Sequence, residues 1–193
     1  MSFIQEIVEP KDMLLKLIRE GNRINFEECS ENLTDHFFNF SVTAHSIRDW
    51  CIKFQGLQAQ KKQLHQQWDK EPFLATAKDI ANSVKHFGIS LYTPQLKNSE
   101  MQASSTVEFC VGENIPEKLQ KAVDEKDFRE SESKEKPSYL VSFEDGTEIT
   151  LDDYVLKTVS YWLTYFEQHS IPRDPTINAR HIYVNRPFWH KFT

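Results

Sequence analysis

The stretch that decides the fold runs from Leu33 to Phe54: Leu-Thr-Asp-His-Phe-Phe-Asn-Phe-Ser-Val-Thr-Ala-His-Ser-Ile-Arg-Asp-Trp-Cys-Ile-Lys-Phe. Its apolar residues Leu33, Phe37, Phe40, Ala44, Ile47, Cys51 and Phe54 recur at intervals of four and three, which is the period of one helix face. A second line, Phe38, Val42, His45, Asp49 and Ile52, follows the same rhythm on another side. A helix apolar on two sides is a central one, packed by neighbours on both. Ser30 is expected to cap it. Gly56 interrupts a weaker continuation through Leu57, Leu64 and Trp68.

Working outward, residues 10–20 read as a short helix, with Pro10 at its start and Gly21 beyond its end. Asn22 to Asn32 reads as a polar turn. Downstream, Phe73, Ala77, Ile80, Val84 and Phe87 make a further helix that opens near Pro72 and stops at Gly88. The character then changes. Residues 106–111 have β composition, and 138–151 read as a hairpin with Asp145-Gly146 as a type I′ turn. Glu117 to Lys136 reads as an exposed charged connection. Asp152 or Asp153 is expected to cap a last helix bearing Val155, Val159, Trp162 and Phe166, which ends before Pro172. The expected class is mainly α with α+β character: a helical bundle with a small antiparallel hairpin or sheet before the last helix.

At 193 residues the chain suits one domain over 1–170 with an arm over 171–193. A mean hydropathy of −0.59 and the lack of any long apolar run argue against a membrane span. The first ten residues have neither a basic segment nor a long apolar one, so no signal peptide is expected. Three separated cysteines, Cys29, Cys51 and Cys110, suit free thiols in a reducing, cytoplasmic setting rather than a zinc site. Net charge is −6, which disfavours broad nucleic-acid binding. The arm is the exception, with Arg173, Arg180, Arg186 and Lys191 against one acid, Asp174, and an aromatic end at Phe188, Trp189 and Phe192. Such an arm is expected to dock on its own body or on a second subunit.

Glycine-rich phosphate loops, a Gly-x-Ser-x-Gly elbow and a His-Glu-x-x-His pair are all absent from the sequence. Two polar groups remain. His45 and Asp49 stand four apart inside an apolar line, where burial requires hydrogen-bonding partners. They read as a His–Asp pair that satisfies itself, fixes a helix register, or orients a working imidazole. Asp79, Asn82 and His86, with Lys78 and Lys85 beside them, form a line opposite the Phe73–Ile80–Val84 face. Periodicity alone makes that line the solvent side of its helix.

The run Asp79-Ile80-Ala81-Asn82-Ser83-Val84-Lys85-His86-Phe87 resembles a motif of small bacterial proteins of no established activity. His45, Asp49-Trp50, Glu144-Asp145-Gly146 and Tyr161-Trp162 match their other marks. The resemblance spans roughly 35–167 and implies a fold and a locus. The layout is also similar to the HEPN superfamily, helical bundles that include RNases and often pair as homodimers. Their signature sets an Arg four to six residues before a His. Here Lys78 and Asn82 precede His86, and the spacing from Arg173 to His181 is too long. The chain is therefore expected to be a non-catalytic binding or interaction module, with His45, Asp49, Asp79, Asn82, Lys85 and His86 lining a polar site between the two central helices. It needs no cofactor or metal, and its partner is a protein or a second copy. The alternative is a HEPN-like RNase with His86 as its acid/base, or a small metal-dependent hydrolase.

Overall fold

In the computed structural model, residues 4–107 and 133–173 are described, with side chains given for 4–103 and 136–173. The central helix forms where its spacing predicts, α2 spanning Ser30–Phe54. Of its second line, however, only Ile52 is buried: Phe38, Val42 and His45 are half-buried, Asp49 is exposed, and so is Phe54 at the end of the first line. Leu33, Phe37, Phe40, Ala44, Ile47, Cys51 and Ile52 are buried along it. Its N-cap is Cys29 rather than Ser30, whose hydroxyl instead bonds the Glu31 carboxylate. The helix ends in a Schellman motif. Leu57 N–H reaches Ile52 O at 2.9 Å, Gly56 N–H reaches Lys53 O at 3.3 Å, and Gly56 takes φ +69°. After a 3-10 turn the chain resumes as α3, Lys61–Trp68.

The first helix is longer than expected: α1 runs Pro10–Phe26, straight through Gly21. Gly21 is not a stop but a point of close approach. A Cβ there would sit 3.0 Å from Val155 Cγ1 and 3.4 Å from Phe40 Cε2. Its missing side chain lets α1 come against the core at Met13, Leu14, Leu17, Ile18 and Ile24. The polar composition of 22–32 suggests a turn, yet only three residues separate α1 from α2. Local polarity yields here to the buried face on either side.

α4 spans Pro72–Lys85 and buries Leu74, Ala75, Ala77, Ile80 and Ala81. Val84 and Phe87, expected on the same core face, are exposed, because the face runs on past its neighbours. The helix closes with Gly88 N–H on Ser83 O at 2.8 Å, and Phe87 takes the left-handed conformation at φ +53°.

The sheet begins earlier than expected. β1 is Leu96–Val107, β2 is Ser133–Phe143 and β3 is Glu148–Thr150, antiparallel in the order β1-β2-β3. Tyr139, Val141, Phe143 and Ile149 face the core. The β2–β3 turn is not type I′. Among its residues only Gly146 has positive φ, at +83°, and Gly146 N–H bonds Phe143 O while Phe143 N–H bonds Thr147 O. That is a type I turn closed by a left-handed glycine, and Asp145 serves it by accepting from Thr147 N–H and Oγ1–H.

The last helix, α5, spans Leu151–Gln168, and its N-cap is Thr150, which accepts from Asp153 N–H at 3.3 Å. Neither aspartate caps it, since both already lie in the first turn, where their charge suits the helix dipole. The aromatic faces of α2 and α5 meet across the core: Phe37 and Phe40 pack edge-on against Tyr154 at 5.7 and 5.4 Å, and Ser41 Oγ bonds Tyr154 Oη at 2.9 Å. Trp68 fills the far end between Trp162 and Tyr165, 5.6 Å from each. The architecture is thus mainly α with a small antiparallel sheet before the last helix. Of the expected arm and the charged connection, residues 174–193 and 108–132 lie outside the described ones.

Candidate functional site: a polar seam between α2, α3, α4 and the strand entry

Helical spacing makes Asp79 a surface residue, but it is only 1% exposed. The connection from α4 to β1 folds back over it. Asp79 Oδ1 accepts from the Tyr92 phenol at 2.9 Å, and Oδ2 accepts from Gln95 N–H at 2.7 Å and Leu96 N–H at 3.1 Å. Asn82, one turn on, donates from Nδ2 to the same phenol oxygen at 3.2 Å. Burial, with Asp79 adding to it, pushes the Tyr92 phenol up to about 12, so it stays a donor. Three donors on one carboxylate hold the chain in register as it enters β1.

Beside this latch runs an ionic relay whose centre is Arg48, wholly buried on α2. Its Nη1 donates to Asp69 Oδ1 at 2.6 Å and its Nη2 to Leu74 O at 2.7 Å. Asp69 also accepts from Lys78 Nζ at 2.8 Å, and its backbone carbonyl accepts from Gln95 Nε2 at 2.9 Å. Burial alone would raise the Asp69 carboxyl, but hydrogen bonds from Lys78 and Arg48 outweigh it and hold the group below its ordinary range. Lys78 Nζ in turn lies 4.4 Å over the Tyr92 ring, joining relay to latch.

The two halves of the expected site do not share one centre. Asp79 and Asn82 converge on Tyr92. His45 and Asp49 lie on the α2–α3 side and make no hydrogen bond to each other. Asp49 turns outward to Lys61 Nζ at 2.8 Å, with His65 Nε2 at 3.4 Å. His45 turns inward, and its buried Nδ1 has no protein hydrogen-bond partner among the described residues. Burial, and then the nearby Arg48 charge, push its imidazole down to about 4. Lys85 and His86 stand exposed where α4 ends.

Arg48, Asp69, Tyr92 and Gln95 escaped the sequence reading. Arg48 did carry a signal, since it sits four residues from both Ala44 and Ile52 on a buried line. Among the described residues, no group of three or more His, Cys, Asp or Glu is arranged to hold a metal ion. None of the described helices is long and apolar enough to cross a membrane. Comparison of the chain with protein-family models, with curated proteins and with solved structures found no match.

Proposed function

We propose that this chain is a non-catalytic module that binds another protein, with its recognition surface at the end of α4 and the connection into β1. The observation behind this reading is the saturation of Asp79. Both carboxylate oxygens are occupied by Tyr92, Gln95 and Leu96, so the most buried acid of the motif fixes a loop instead of offering a base. Asp69 is occupied in the same way by Arg48 and Lys78. Lys85 and His86 then stand beyond a rigid support, free to meet a partner. The described cysteines, Cys29 and Cys51, are free thiols, in keeping with a cytoplasmic setting.

The competing reading is an RNase that uses exposed His86 with Lys85 beside it. The two readings separate on a turnover assay. Labelled RNA oligonucleotides are incubated with the protein and with His86→Ala. The binding reading expects no cleavage above buffer from either. Cleavage that disappears in His86→Ala would overturn it in favour of the nuclease.

A further inference from the structure

Phe87 occupies a backbone conformation that bulky residues avoid, and its ring is fully exposed. A glycine at this position would cost nothing in backbone strain, and burial of the ring does not repay the strain it carries. The same left-handed conformation closes the last helix at Ser170, so at position 87 it ends α4, and the exposed Phe87 ring plays no part in that closure. The position is also well held. Gly88 N–H closes on Ser83 O behind it, and the Asp79 latch pins Tyr92 ahead of it. Val84 on one side and Leu91 on the other are exposed too.

Along the sequence, the stretch that carries this knuckle is charged oppositely to the chain as a whole. The protein has 29 acids and a net charge of −6, yet no Asp or Glu occurs from Ile80 through Ser99, a stretch that carries Lys85, His86 and Lys97. Lys85 has no ion-pair partner among the described residues.

We propose, resting on the binding-module reading above, that Phe87 is the anchor of that surface. It enters an apolar pocket on a partner protein, and Asp or Glu side chains at the pocket rim meet Lys85. The partner is a different protein rather than a second copy, because a two-fold contact would set this patch against itself, placing Lys85 against Lys85 with no Asp or Glu between Ile80 and Ser99 to meet it.

A photo-crosslinking residue placed at exposed Ser90 tests this in extract of the source cells, with exposed Asp152 on α5 as the control position. The expected result is a discrete protein adduct from position 90 and none from 152. The adduct should fall at least about tenfold in Phe87→Gly and in Lys85→Glu, as loss of a central anchor does. Its crosslinked peptide should map to apolar residues flanked by Asp or Glu. Phe87→Gly, relieved of backbone strain, should meanwhile melt about 2–4 °C higher than the parent.

An adduct that persists in Phe87→Gly overturns the anchor but leaves the binding module standing. An adduct between two tagged copies of this chain, or with nucleic acid, overturns the partner assigned here. A lower melting temperature in Phe87→Gly makes the ring structural and overturns the proposal. No adduct from position 90 overturns both readings.

Discussion

Arg48 and Asp69 lie 2.6 Å apart across the seam between α2 and the turn that precedes α4, and the guanidinium is sealed from solvent. A buried ion pair of this kind is costly to make and far costlier to break on one side. Arg48→Ala is expected to destabilise by about 3–5 kcal/mol. Asp69→Ala should cost a similar amount, because it strands the guanidinium and also releases Lys78. Arg48→Met, which fills the volume without the charge, should cost clearly less when combined with Asp69→Asn than either alanine variant does. Urea unfolding of these three variants and of the Arg48→Ala/Asp69→Ala double variant checks the order, and additive costs for Arg48 and Asp69 would sink the coupling.

Asp79→Ala removes the acceptor for three donors, two of them backbone N–H groups. The expected loss is about 2–3 kcal/mol, at the low end of about 1–3 kcal/mol per orphaned donor, because Gln95 is exposed and Tyr92 and Leu96 are only half-buried, so water reaches part of what is released. Hydrogen exchange gives the more specific readout. The Gln95 and Leu96 amides should exchange much faster in Asp79→Ala, while amides in α1 stay protected. Tyr92→Phe keeps the two backbone bonds and should cost only about 1 kcal/mol.

Between about pH 6.5 and 4, the largest contribution to the pH dependence of stability is expected from His45. Its folded pKa, about 4, lies below the ordinary value of 6.5, so the unfolded chain binds the proton first. Stability is therefore complete above about pH 6.5 and is lost as pH falls from there toward 4, by roughly 2–3 kcal/mol in total. His65, also lowered by burial, acts in the same direction. His45→Gln should flatten the midpoint of urea unfolding between pH 7 and 4.5. An unchanged slope in that variant would assign the window to other groups.

Gly21→Ala sets two effects against each other. Alanine favours the helix by about 1 kcal/mol over glycine. Its Cβ would meet Val155 Cγ1 at 3.0 Å and Phe40 at 3.4 Å, and both neighbours are buried core residues. Overpacking should win, for a net loss of about 1–2 kcal/mol. Thermal unfolding decides the sign, and a gain in stability would show that α1 can shift outward.

What could be read in the sequence was what periodicity controls. The spacing of Leu33 through Cys51 located the central helix, and the change of composition after Gly88 located the sheet before the last helix. What escaped depended on residues far along the chain. Asp79 reads as solvent-facing on its own helix, and only Tyr92, Gln95 and Leu96, 13 to 17 positions later, bury it. Val84 and Phe87 continue an apolar line in sequence, but periodicity does not say where the neighbouring layer stops. Gly21 could equally end a helix or admit another one closely, and only the position of Val155 distinguishes the two. His45 and Asp49 share a helix face, yet Lys61 and His65 on α3 draw the carboxylate away.

The hydroxyl pair Ser41–Tyr154 joins residues 113 positions apart, and Thr34–Tyr139 and Gln55–Tyr165 join others 105 and 110 apart. During synthesis at about 5–20 residues per second, the apolar strip of α2 therefore waits on the order of ten seconds for α5 to leave the ribosome. Throughout that interval Phe37 and Phe40 lack the ring that will cover them. Slow stretches of translation before Tyr154, or a shortage of chaperones, should lower the yield of folded protein well before any change in the stability of the finished chain.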